Sequence, residues 1–498
     1  MTAAPAPAGQ PADRARSVRV FFACWLVYTV FWAPYIVREH YPAVTLAEQG
    51  SLDVERYLGW SDDLFRGPRG GAYINNNPGA SLTGAIPLVL FRPLLARVDE
   101  WNQKLPRKSR KIDSDEWYWL AARDGRIFYF LLVGFITVAF VMAPLTAAVI
   151  GWLCSKLIEA GVPGRFAAGA ALLTGLGTPL LFRTGHLNHN LLVADAGFAA
   201  LLLLWDPKER SLHPARAFCA GLLGGYSLLC DYSGVVVIIT AGAYVWLRAR
   251  DRGQRLRTLL AFAGGVIPGA AALLVYQGWA FGSFYLPSQQ YMPPTAPTSQ
   301  GYRGLSWPSP ALAWALFVDP RFGLFAYCPA LILALFAPFA KRGEYRLPRR
   351  ETWLLLGYFG IFVVFCSANQ YSWLQPLTGF RYLVPVVPGL ALLAIQTAQS
   401  LPRWARIAIS WGAVLQAFLI AAVHENDLRL SLATLWQRRF EMLWMLRLSW
   451  AGLSQGWLAV TELIAAALLA VALFQIAIAL RMDDRMVPGP GTRTTNLE

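Results

Sequence analysis

Charge is scarce in this chain. Asp, Glu, Lys and Arg make up only 15% of its 498 residues, and acids are the scarcer half, with 29 Asp and Glu against 44 Lys and Arg. That deficit, beside 56% hydrophobic residues, 20 Trp and a mean hydropathy of +0.41, excludes an ordinary water-soluble globule and indicates a polytopic membrane protein. Histidine is rarer still, with five residues. The six cysteines (Cys24, Cys154, Cys219, Cys230, Cys328, Cys366) lie in or at the ends of apolar stretches without metal-ligand spacing, and so read as small core residues. There is no P-loop, no nucleotide-binding glycine signature and no large soluble domain, so the energy for any reaction has to arrive with the substrate. The excess of base, +15, reflects topology rather than nucleic-acid binding, because Lys and Arg fall mostly in short loops between apolar segments.

The first apolar stretch, residues 18–37, also lacks a small-x-small cleavage site and ends in bulky Tyr35 and Ile36. With Arg14, Arg16 and Arg19 at its start it reads as a retained signal anchor, preceded by an Ala/Pro-rich segment, 1–17, expected to be disordered and cytoplasmic. Further apolar segments lie near 127–158, 166–183, 190–205, 217–231, 233–247, 258–280, 323–340, 352–366, 382–400, 404–423 and 457–480. The run 79–98 decides the parity of all that follows. If it crossed, the loops 248–257 and 341–350, with five Lys or Arg each, would face outward, against the positive-inside rule. Its Pro87, Pro93, Arg92 and Arg97 suit a helix lying in the interface.

The expected fold class is therefore an all-α polytopic bundle of about 12 transmembrane helices, with interfacial helices in a long first external loop. The transmembrane module covers 18–423, including an external loop at 38–126 and a lid-like external loop at 281–322. An external loop and last span follow at 424–480, then a cytoplasmic tail at 481–498. Both termini are expected inside, in a cytoplasmic (inner) membrane. The basic run KLPRKSRK at 104–111 would lie outside, either solvated or holding lipid phosphate.

The chemistry-bearing residues collect at the outer rim. Arg38-Glu39-His40 follows the first span, Asp62 and Asp63 lie further along the loop, and YINNNPG occupies 73–79. GHLNHN follows at 185–190, with Asp195 about one and a half helical turns beyond, and GFRYL places Arg381 where a late span begins. A carboxylate within a turn of a span exit suggests chemistry at the membrane surface. Bland alternatives stand beside each. Glu39 could pair with Arg38, Asp62 and Asp63 could be solvated or cap a helix, and Asn before Pro-Gly is ordinary turn chemistry.

The order of first span, acidic external loop, Tyr-x-Asn-x-x-Pro-Gly and interfacial helix resembles the first external loop of GT-C membrane glycosyltransferases, in the branch of protein O-mannosyltransferases and lipid A aminoarabinose transferases. GTPLLFRTGHLNHN (177–190), VDPRFGLFAYCPAL (318–331) and GFRYLVPVVPGLAL (379–392) are similar to bacterial members of that branch. The resemblance implies transfer of a sugar from a polyprenyl-phosphate donor to a protein, glycan or lipid acceptor on the outer face, with the bilayer as the other partner and no nucleic acid. It implies Glu39 as catalytic base; where the family carries a second acid that this chain lacks, Asp62 or Asp63 could supply it, alone or through a divalent cation with Glu39. Substrate contacts would come from Arg38, His40, Tyr73, Asn75, Asn76, Asn77, His186, His189, Asp195 and Arg381. The aminoarabinose transferase pattern reads roughly Tyr-x-Glu-Lys-Pro-Pro; here Asn75 and Asn76 replace the Glu and Lys, and Asn77 the first Pro. The loss of that second acid and lysine supports a rival expectation, a catalytically inactive lipid-binding scaffold or accessory subunit.

Overall fold

The computed structural model describes residues 11–105, 107, 116–340, 343, 345–375 and 379–482. Most of the basic run 104–111, residues 1–10 of the N-terminal segment and 483–498 of the tail lie outside them.

All twelve apolar segments carry helix. Five meet the length and apolarity of a crossing on their own: Ile127–Glu159, Arg252–Phe281, Arg349–Ala368, Arg403–Val423 and Gln455–Arg481. At 1.5 Å per residue each is 30 Å or longer, the thickness of a hydrocarbon core. Shorter apolar helices, among them His189–Leu204, Gly234–Arg248 and Pro329–Phe339, complete the bundle. Burial sorts them. Gln455–Arg481 has 11% of its apolar window covered by protein and faces the lipid side, whereas Ile127–Glu159 has 78% and runs through the interior. His189–Leu204 is apolar on every side and buried along nearly its whole length, as a central helix must be.

Glycine allows the closest crossing. Gly221 and Gly225 of the helix Pro214–Cys230 meet Gly265 and Gly269 of Arg252–Phe281, two small-x-x-x-small pairs face to face. A Cβ on Gly225 would lie 2.6 Å from the Val266 carbonyl oxygen, so no other residue fits there without separating the helices.

The segment 79–98 is a bent pair, Gly79–Leu90 and Arg92–Gln103, turned by 81° at Phe91 and Pro93. Each 12-residue arm is roughly 18 Å long, too short to cross alone. The first external loop also carries a feature that composition did not suggest, a two-stranded antiparallel ribbon pairing Leu64–Arg66 with Ala72–Ile74 around Gly70 and Gly71, both at positive φ. Phe65, Tyr73, Tyr276, Phe281 and Met292 form a small satellite core beneath it, so the loop after Phe281 clasps the ribbon.

Two polar layers lie at opposite ends of His189–Leu204, about 24 Å apart. Beyond Leu204, Asp206 takes Arg210 at 2.8 Å and Arg216 at 3.1 Å, and Glu159 takes Arg210 and Lys156. Arg248 and Arg250 donate to backbone carbonyls of 206–210, and Arg350 reaches Glu209 at 3.6 Å. The two basic loops thus gather at one end. The other end holds the cavity.

Candidate active site

The cavity has a volume of about 670 Å³ and is lined by residues of three separate stretches, 36–41, 59–63 and 183–190, together with Trp117 and Arg381. Backbone contacts knit these stretches. After the first helix ends at Val30 the chain runs extended, and Ala33 N donates to Gly185 O at 2.7 Å. Tyr35 Oη donates to His424 O at 2.9 Å. Asn188 then starts the central helix: its Oδ1 accepts from Leu191 N at 2.9 Å, while Nδ2 donates to the carbonyls of Arg183 and His186. That cap delivers His189 to Glu39.

Glu39 is buried, 2% exposed, and Oε1 accepts from His189 Nδ1 at 2.6 Å, Asn76 Nδ2 at 2.7 Å and Arg38 Nε at 3.3 Å. Burial alone would raise its proton affinity, but Arg38 and His189 outweigh burial and hold the carboxyl well below the usual carboxylate range. The other face of the His189 ring looks toward Asp231, with Nε2 3.6 Å from Oδ2. Asp231 arrives there because the YINNNPG turn is pinned to the end of Pro214–Cys230. Asn77 Nδ2 donates to Leu228 O at 2.8 Å, and Gly79 lies so near Leu229 that a Cβ would meet its carbonyl at 2.7 Å.

Arg38 also binds Asp63, NH1 to Oδ2 at 2.7 Å, and Asn75 Nδ2 donates to Asp63 Oδ1 at 2.6 Å. The guanidinium therefore stands between the carboxylates of Glu39 and Asp63, where a bridging cation would have to sit. Among the described residues no group of three or more His, Cys, Asp and Glu side chains is arranged to hold a metal ion. Asp62 lies at the exposed rim of the cavity. The cavity is also lined by Arg183, whose guanidinium donates to His186 Nε2 at 3.5 Å, and by Arg381, whose Nε is buried without a hydrogen-bond partner among the described residues. Burial and the neighbouring Arg183 keep His186 neutral, well below the ordinary histidine value.

Of the expected site residues, Arg38, Glu39, Asp62, Asp63, His186, His189 and Arg381 line this cavity, and Asn75 and Asn76 brace it from behind. Four stand elsewhere. His40 turns away, Nε2 to Thr137 Oγ1 at 3.2 Å, and burial pushes its pKa down to about 4. Tyr73 packs in the satellite core, Asn77 holds the helix end, and Asp195 accepts from Thr146 Oγ1 at 2.8 Å deeper in the bundle. The loop 281–322 contributes no side chain to the cavity lining. It touches the site from behind, Ser288 Oγ and Gln289 Nε2 donating to Asn75 O. Sequence reasoning missed Arg183, Asn190 and the place of Asp231 beside His189. The first two lie inside a motif that had been singled out, and an Arg at the outer end of an apolar segment was the available signal for Arg183.

No family model and no curated protein matches the sequence. Among solved structures, the chain is similar to ArnT from Cupriavidus metallidurans bound to undecaprenyl phosphate, with 15% identity and a TM-score of 0.43, covering 93% of this chain and 74% of that one. At that distance the likeness carries no argument about the site, and the functional reading rests on the cavity itself.

Proposed function

We propose that this protein transfers a sugar from a polyprenyl-phosphate donor to an acceptor at the outer face of the cytoplasmic membrane, and that the cavity around Glu39 is where transfer occurs. The observation that carries the reading is that one cavity is lined both by a buried carboxylate, held by a histidine and an amide, and by two further arginines, Arg183 and Arg381. An acceptor hydroxyl needs a nearby carboxylate to take its proton, and a departing lipid phosphate needs cations to meet the charge it gains. The isoprenoid tail stays in lipid while its phosphosugar enters the cavity.

In the proposed step the acceptor oxygen bonds to the anomeric carbon as the bond from that carbon to the phosphate oxygen breaks, which inverts the centre. The proton passes to Glu39, and the electron pair leaves on the polyprenyl phosphate, facing Arg381 and Arg183. A carboxylate held strongly ionised is a feeble base, but an entering phosphate draws on the same cations that hold it down. Part of the Arg38 interaction then shifts to the ligand, and the proton affinity of Glu39 rises when the donor is bound. His189, between Glu39 and Asp231, orients the carboxylate.

The same feature favours a second reading, a lipid-phosphate-binding scaffold in which Glu39 stays a structural anion. Protein reconstituted in lipid nanodiscs with radiolabelled decaprenyl-phosphate sugars, neutral and amino, separates the two. Label transferred to added peptide, glycan or lipid acceptors supports the enzyme; saturable donor binding without turnover on any of them supports the scaffold; absence of binding removes both.

A further inference from the structure

We propose that Asn190 reads a hydroxyl of the donor sugar, and that the substrate is accordingly a neutral polyol sugar at the position it touches. The inference rests on the transfer reading above. Asn190 is the second residue of His189–Leu204, is 1% exposed and lines the cavity. Neither Nδ2 nor Oδ1 has a hydrogen-bond partner among the described residues. Its two preceding residues are engaged, Asn188 in capping the helix and His189 in holding Glu39, and of the nearby His186 only Nδ1 is without a partner among the described residues. An amide buried in this way, open in both senses, is destabilising until something enters to meet it.

The open atoms specify what enters. A carboxamide offers a donor and an acceptor side by side. Phosphate oxygens accept and would leave Oδ1 unmet, and an ammonium donates and would leave Nδ2 unmet. A hydroxyl does both, and two adjacent ring hydroxyls match the amide edge. The unpartnered atom of Arg381 on the same cavity is a charged donor and suits the phosphate. The two groups thus divide the donor, phosphate to the arginine and sugar ring to Asn190.

The test uses the full-length protein in nanodiscs with decaprenyl-phosphate-linked neutral pentoses and hexoses, and with analogues lacking one ring hydroxyl at a time. For the sugar that is transferred, one deoxy analogue should lose about 10- to 100-fold in kcat/KM on the unaltered protein, the cost of leaving the amide unmet. On Asn190→Ala the same analogue should fare as well as its parent sugar, and both should be slow. The thermal midpoint of Asn190→Ala should be unchanged or higher, since an unmet buried amide has been removed; a merely structural asparagine would lower it. Asn190→Ser, which keeps one donor and acceptor, should recover part of the discrimination. Equal losses for every analogue on the unaltered and Ala proteins, or parent-sugar turnover undiminished in Asn190→Ala, would overturn the assignment while leaving transfer intact. If the unaltered protein moves an amino sugar but none of these neutral ones, the assignment is overturned while transfer stands; if it moves neither kind, the transfer reading itself fails and this one falls with it.

Discussion

Replacing Glu39 by Gln removes one charge and keeps the shape. The structure sets the size of two separate effects. Oε1 receives donors at 2.6, 2.7 and 3.3 Å, and a Gln carbonyl oxygen can still accept from His189 or Asn76. Arg38 keeps its second partner, Asp63, at 2.7 Å, so no buried guanidinium is left alone. The stability loss should therefore be that of one or two weakened charge-assisted hydrogen bonds, about 1–3 kcal/mol, rather than the larger cost of a stranded buried charge. The variant should fold. Transfer is another matter, because an amide takes no proton, and loss of a positioned general base lowers kcat by about 10²- to 10⁴-fold. The assay is label transfer in nanodiscs, with donor binding measured beside it to show that the cavity still forms. Glu39→Asp gives a second reading, since retracting the carboxylate by roughly 1.5 Å opens both short contacts and should lower kcat at least tenfold. Transfer by Glu39→Gln within about threefold of the unaltered protein, far less than a lost base costs, would refute the role assigned to this carboxylate.

Arg381→Ala should raise KM for the donor by about 10- to 100-fold, the loss of one charge-assisted contact; an unchanged KM would remove it from phosphate binding. Acidification should destabilise the protein. His40 has its pKa moved from 6.5 to about 4 in the folded state, so the unfolded chain binds the extra proton, and stability present above pH 6.5 is lost as pH falls toward 4. The shift corresponds to about 3 kcal/mol, and Glu39, depressed in the same direction, adds to it at lower pH. Unfolding midpoints at pH 7 and 4.5 check the sign, and His40→Gln should reduce the difference by its share, since His186 and His424, depressed by burial in the same way, lose stability over the same range. Gly225→Val should force the Pro214–Cys230 and Arg252–Phe281 helices apart, costing about 3 kcal/mol or more because the obstacle is backbone; it should also displace Asp231 and so weaken transfer, and a stable, active variant would contradict the close crossing.

Composition and apolar run length were enough to read an all-helical polytopic bundle, to put the basic loops at one end and to mark 79–98 as a segment that does not run straight across. Those features follow from local rules: lipid tolerates only backbone whose hydrogen bonds are met internally, and prolines and charges show where a run must bend or surface. Glu39, His186, His189 and Arg381 were also legible, because a polar residue beside a long apolar run stands out. What the sequence could not tell is partnership. His189 is 150 positions from Glu39 and Asp231 a further 42 along, and they meet because the Asn188 cap, the Asn77 turn and two crossing glycine pairs set the ends of separate helices in one place. The same tertiary packing turned His40 inward, gave Asn75 and Asn76 to the carboxylates, and left Asn190 open. Chain order announces which groups are polar and near an interface; only the packing of helix on helix decides which of them line one cavity.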